Sequence, residues 1–336
     1  MNFFKRMLCL GTALAIAAPA SAETLTYATW QPEASADLHA TSLHWFAEQL
    51  SERTNGAHSL QIFWGGTVAG INEIPDAVEN GVADMGDLVV PYFPDQFPIN
   101  NGISFHLPQP HSPLELAEMM QSLHETYPQF GEELARYNLK LIGLRPLGYY
   151  GILCSTPIAS IDDLRGKRIR PFSVASAAAI TSLGGVPVQM STVETYEALE
   201  RGVLDCTAIE PVIARGQLYD EVAKHYVDIP LGASWGQFIV INTGVYESLP
   251  DDLREALDTL GAEYHTYFTQ EQDRLTAEVM EAWAAEDDFT ITTISAEELL
   301  AVTEADPGVA DVRAQWAARA TEAGLPAEDI ASQLAY

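Results

Sequence analysis

The sequence has 336 residues, 47% of them apolar, which suits a globular chain with room for two lobes of ordinary size and excludes a disordered one. It carries 47 Asp and Glu against 17 Lys and Arg, a formal charge of -30. That balance argues against nucleic acid or an anionic membrane surface as a partner.

Lys5 and Arg6 precede an apolar run, Met7 to Ala18, that is too short to cross a bilayer, and Ala20-Ser21-Ala22 offers small residues for cleavage. Together they predict a signal segment over residues 1–22 and an exported mature chain beginning at Glu23, periplasmic in a cell with two membranes. Cys9 falls in the discarded segment. Cys154 and Cys206 fit either a disulfide or two buried thiols.

The mature chain reads first as strand (Glu23 to Trp30), helix (Leu38 to Thr54, ended by Asn55-Gly56), strand (Ser59 to Trp64), helix (Ile71 to Asn80, stopped by Gly81) and strand (to Val90). This order is that of an α/β lobe whose strand ends face a cleft. A Pro- and aromatic-rich connection, Pro91 to Pro113, leads to a helix predicted over Leu114 to Leu134 and a strand over Lys140 to Leu144.

Four of the 17 cations then fall within six residues, Arg165-Gly166-Lys167-Arg168-Ile169-Arg170. The alternation predicts a short strand with Arg168 and Arg170 on one face, ended by Pro171 and followed by a helix from Ser173 to Leu183. An arginine at such a strand end can offer its planar fork to a carboxylate. Spacing alone fits a solvated cationic edge equally well. Phe238 to Asn242 reads as an apolar strand. Pro250 to about Asp287 reads as one helix, roughly 55 Å long at 1.5 Å per residue and long enough to back both lobes. A last strand, Phe289 to Ile294, and a capped helix pair complete the chain.

A weak internal repeat pairs Asp76-Ala77-Val78-Glu79-Asn80-Gly81-Val82-Ala83-Asp84-Met85 with Glu197-Ala198-Leu199-Glu200-Arg201-Gly202-Val203-Leu204-Asp205-Cys206. Each copy is a helix end, a glycine cap and a strand start. Catalytic signals are thin. Gly232-Ala233-Ser234-Trp235-Gly236 matches a nucleophile elbow, but a strand follows it where a helix is required. No zinc-ligand spacing and no phosphate loop is present, so no metal and no cofactor is expected.

The knot just described, with Leu183-Gly184-Gly185-Val186-Pro187-Val188, Glu194-x-Tyr196-x-Ala198-Leu199-Glu200-Arg201-Gly202 and Ile241-Asn242-x-x-Val245-Tyr246, resembles the solute-binding proteins of tripartite ATP-independent periplasmic (TRAP) transporters. The resemblance runs from about Glu23 to Ala285. It implies an α/β, two-lobed periplasmic-binding-protein clamshell with hinge strands and a long helix spanning both lobes. It also implies capture of an organic acid, delivery to integral membrane permease subunits, and no enzymatic activity. In that family the arginine matching Arg170 holds the ligand carboxylate by a two-pronged salt bridge.

The departures are informative. The position of a second family arginine falls near Tyr150, an asparagine position falls on Glu210, and an aromatic position holds Thr192. The lack of a second arginine argues against a dicarboxylate gripped at both ends. The expected ligand-binding set is Arg170, Glu210, Tyr150, Phe172, Trp235, Trp30, Tyr149 and Tyr92. The expected division is lobe I over residues 23–147 with a return segment near 238–270, and lobe II over 148–237 with about 271–336. A monomer is expected. An exported hydrolase using Ser234, or a binding protein feeding a membrane sensor, are the alternative readings.

Overall fold

The computed structural model describes residues 22–33 and 38–334, apart from the side chains of residues 103, 234 and 235. The expected signal segment lies outside the described residues, except for its last position. Nine strands form one sheet: β1 (Thr24–Ala28), β2 (Ser59–Phe63), β3 (Met85–Val89), β4 (Leu139–Cys154), β5 (Arg168–Arg170), β6 (Val186–Pro187), β7 (Cys206–Ile209), β8 (His225–Asn242) and β9 (Thr290–Thr293). Their order is β2-β1-β3-β8-β4-β7-β5-β6, with β9 also paired to β8.

Two strands run through both lobes. The C-terminal half of β8 pairs antiparallel with β3 from Gln237 to Ile241, and its N-terminal end pairs with β9. β4 pairs with β8 almost throughout and then with β7 from Gly151 to Cys154. Both strands are longer than their apolar patterns predict, because Gly148, Gly151, Gly232 and Gly236 interrupt the hydrophobic alternation without ending the ladder. The register shifts of this pair cluster between Leu141 and Ile152 of β4. Bulges bend and twist a strand where they occur, so the crossing between lobes is also the bent part of the sheet.

The internal repeat is structural. β3 follows Gly81 and lies parallel to β1, and β7 follows Gly202 and lies parallel to β5. Both glycines have positive φ, 71° and 64°. Asp84 accepts from the backbone N–H of Thr26 at 2.7 Å, and Asp205 accepts from that of Arg168 at 2.8 Å. The same carboxylate clip thus fixes the same parallel pair in each lobe.

The long helix spans Asp251–Ala285 and contributes Leu257, Leu260 and Phe268 to the core beneath β1 and β3, and Val279 and Trp283 to the core of the other lobe. Gly261 lets it approach β4: a Cβ there would stand 1.8 Å from the Ile142 carbonyl oxygen. The helix predicted over Leu114 to Leu134 is two helices, Pro113–Thr126 and Pro128–Ala135. Pro128 removes the N–H needed to continue and pushes Tyr127 to extended backbone. The C-terminal helices, grouped above with lobe II, bond to residues 94–111: Trp316 to the Ile99 carbonyl, Arg319 to Pro94 and Asp95, and Gln333 to His111. Val312 packs against the cores of both lobes. Cys154 and Cys206, paired across β4 and β7, form a disulfide.

Candidate ligand-binding site

β5 delivers Arg170 into the cleft. Ile169 is fully buried in the core, Pro171 ends the strand, and Ser173 caps the helix Val174–Ser182 by accepting from the Ser176 N–H. Arg168 and Arg170 leave the same face with different fates. Arg168 binds Asp205 through Nε and Nη2 at 2.9 and 2.8 Å and stays partly exposed. Arg170 is 2% exposed.

The partners of Arg170 are all uncharged. Nε donates to the Met190 carbonyl at 3.3 Å, and Nη2 donates to Tyr92 Oη at 2.8 Å and Thr192 Oγ1 at 2.9 Å. Tyr92 comes from the opposite lobe, in the turn Val90–Tyr92 after β3. Its oxygen also accepts the Thr192 N–H at 3.0 Å. With both lone pairs occupied, its own hydrogen is left for Thr192 Oγ1, 2.9 Å away. Tyr219 Oη donates to the Thr192 carbonyl and closes the cluster from behind. Among the described residues no carboxylate pairs with Arg170, and Nη1 has no hydrogen-bond partner.

Arg170 lines a small, partly enclosed cavity of about 30 Å³ between the lobes, room for roughly one or two waters, so any larger ligand needs the lobes to part. One wall holds Trp30, Ile71, Val89 and Tyr92; the other holds Tyr150, Phe172, Ile209 and Ile213. Leu147, Gly236 and Gln237 also line it, where the register of β4 and β8 shifts. Tyr150 and Phe172 stack with ring centroids 3.7 Å apart. Burial, and then the neighbouring Glu210, raise the Tyr150 phenol well above its usual range, so it stays protonated.

Five of the residues singled out from sequence therefore meet at one cavity: Arg170, Tyr92, Tyr150, Phe172 and Trp30. Glu210 does not line it. Its carboxylate caps the helix Pro211–Gly216, accepting from the N–H groups of Val212 and Ile213 at 3.3 and 3.0 Å. Tyr149 precedes Tyr150 on β4, is 45% exposed and does not line the cavity either. The Trp235 side chain lies outside the described residues. Ser234 sits within β8 opposite Leu147, so the nucleophile-elbow geometry is not formed. No group of three or more His, Cys, Asp or Glu among the described residues is placed to hold a metal.

Sequence reasoning missed Gln237 and the residue behind it, Arg145. Arg145 is fully buried on β4. Its Nη1 donates to Asp87 Oδ1 at 2.9 Å and Gln237 Oε1 at 2.7 Å, and its Nε donates to Tyr264 Oη at 3.1 Å. Asp87 also accepts from Tyr27 and Thr29, each at 2.6 Å. A lone arginine inside an apolar run, Leu144-Arg145-Pro146-Leu147, was the available signal.

A family model described as bacterial extracellular solute-binding protein, family 7 (DctP), matches residues 31–312. The chain belongs to this family. Among curated relatives, an uncharacterized protein, YiiZ, of Salmonella typhimurium is 28% identical over 197 residues, 55% of this chain and 57% of that protein. The C4-dicarboxylate-binding periplasmic protein DctP of Rhodobacter capsulatus is 26% identical over 231 residues, 66% of each chain. The matches thus span less than two thirds of these relatives' lengths. A TRAP solute-binding protein of Rhodoferax ferrireducens, solved with copurified benzoate, superposes with a TM-score of 0.79 at 19% identity, covering 92% of this chain and 95% of that one. The family 7 chain thus has the two-lobed α/β architecture of the TRAP solute-binding proteins, as the resemblance implied. Among the described residues no helix is long and apolar enough to cross a membrane.

Proposed function

We propose that this family 7 protein binds a small organic monocarboxylate in the periplasm, holds it between its lobes without chemical turnover, and passes it as a monomer to TRAP permease subunits in the membrane. The observation that carries the reading is Arg170: a buried cation in an inter-lobe cavity, with neutral partners and Nη1 left over. A buried charge lacking a counter-charge is costly, and a ligand carboxylate supplies one with directional hydrogen bonds. Apart from Thr192 and Gln237 the rest of the lining is apolar or aromatic, and among the described residues no second arginine lines the cavity, which favours one carboxylate over two. The benzoate found with the Rhodoferax protein is a ligand of this kind.

We divide the chain accordingly. Lobe I takes residues 23–147 with the return segment near 238–270, and lobe II takes 148–237 with the segment following 271. The C-terminal helices from Pro307 belong with lobe I by their bonds to residues 94–111. Contacts from both lobes to one ligand select the closed state, the form a permease would read.

A thermal-shift screen of residues 23–336 against small carboxylates tests the reading. At about 100 times its dissociation constant a ligand adds roughly 2.7 kcal/mol of stability. One class of monocarboxylates should raise Tm, and Arg170→Ala should abolish the rise. A full response in that variant would place the anion elsewhere.

A further inference from the structure

Three side chains at the cavity have a hydrogen-bonding sense that the fold fixes. Arg170 has only donors. Trp30 has one, Nε1, and among the described residues no protein acceptor receives it. Gln237 is amphoteric in isolation but not here. Arg145 approaches it through Nη1 at 2.7 Å, and a guanidinium cannot accept, so the atom facing Arg145 must be the amide oxygen. The amide nitrogen is thereby turned away from Arg145, on a side chain that lines the cavity.

Arg145 cannot easily turn elsewhere. It is held by Asp87, Tyr264 and the sheet around it, and it is fully buried. The amide is therefore oriented from behind by a charged group that never meets the ligand. Among the described residues no carboxylate side chain lines the cavity, and the nearby Glu210 carboxylate is engaged by the N–H groups of Val212 and Ile213, so a ligand ammonium has no direct carboxylate partner in the lining.

We infer that Gln237, oriented by Arg145, is a specificity-determining residue that donates its amide N–H to a second, carbonyl-type oxygen of the bound carboxylate. This deepens the monocarboxylate reading above and rests on it. The ligand class it names is an oxo acid or another carboxylate bearing a neutral acceptor, selected against plain acids and against amino acids.

The test uses residues 23–336 and titration calorimetry with pentanoate, 2-oxopentanoate, 4-oxopentanoate and 2-aminopentanoate. The wild-type protein should bind at least one oxo acid roughly tenfold more tightly than pentanoate, the effect of one hydrogen bond of ordinary strength. It should bind the amino acid weakest. Gln237→Leu should erase the oxo-acid preference, so that in this variant the oxo acids bind no more tightly than pentanoate. Gln237→Glu keeps an acceptor for Arg145 and removes the N–H. It should therefore fold, disfavour the oxo acids and improve the relative binding of 2-aminopentanoate. That reversal distinguishes a role in recognition from loss of packing. If oxo acids bind no better than pentanoate, or the Gln237 variants keep the wild-type ranking while Arg170→Ala still abolishes binding, the inference fails and the carboxylate clamp stands. If no carboxylate binds and Arg170→Ala changes nothing, both fail together.

Discussion

Two guanidinium groups are buried near the middle of this molecule, and they are provided for differently. Arg145 has Asp87 at 2.9 Å, two further oxygen partners and complete burial. Arg170 has a carbonyl and two hydroxyls, and it borders a cavity. The first is neutralised by the fold and the second is not. Removing one partner of a buried ion pair strands the other charge, whereas removing a buried cation that has no counter-charge strands no charge, only the neutral oxygens it bonded. The contrast separates a cation whose charge is met inside the fold from the one to which we assign the ligand carboxylate.

The largest effect should come from the hinge. Arg145→Ala leaves Asp87 buried without its cation and should cost about 3–5 kcal/mol of stability. Arg170→Ala should change unliganded stability by no more than about 1 kcal/mol, because relief of a buried charge without a counter-charge offsets the hydrogen bonds lost to Met190, Tyr92 and Thr192. Paired denaturant melts of the two variants check this, and similar losses in both would break the comparison.

Acid should also separate stability from binding. Burial lowers the His106 and His124 imidazoles to about 4, from an ordinary value of 6.5. Between those limits the unfolded chain holds more protons than the folded one, so stability falls as pH drops from 6.5 towards 4. At pH 5 each histidine should remove about 2 kcal/mol, and His124→Asn should remove its share of the slope. Neither histidine touches Arg170, so a strong acid ligand should keep its affinity over the same range.

The smallest effect sharpens the account of the cleft. Tyr92→Phe removes the phenol that joins Arg170 and Thr192 across the lobes. It should weaken ligand binding about fivefold by calorimetry, the equivalent of one modest hydrogen bond, with global stability nearly unchanged.

The crowding of four cations into six residues of an acidic chain drew attention to Arg170, but spacing fitted a solvated edge equally well; only the fold shows that Arg165 and Arg168 stay exposed or half-exposed while Arg170 is buried beside a cavity. Tyr149 and Tyr150 were not separable, since adjacent strand residues face opposite ways and the bulges of β4 decide which one reaches the cleft. Glu210 sits where spacing put it, but its carboxylate is engaged by two backbone N–H groups, a local contact that spacing does not reveal. Arg145 was missed because its meaning depends on Asp87, 58 positions earlier, and on Gln237, 92 positions later. These residues become neighbours only once β8 lies between β3 and β4.

Part of the cavity lining is also the stretch where the register of the two long strands shifts. A ligand held there, as we propose, would rest close to the fulcrum of the molecule. In any rotation of one lobe against the other, displacement grows with distance from that axis. A small adjustment around Leu147 and Gly236 corresponds to a much larger sweep at the outer rims. Occupancy of the proposed site would thus be registered where leverage is least and displayed where it is greatest.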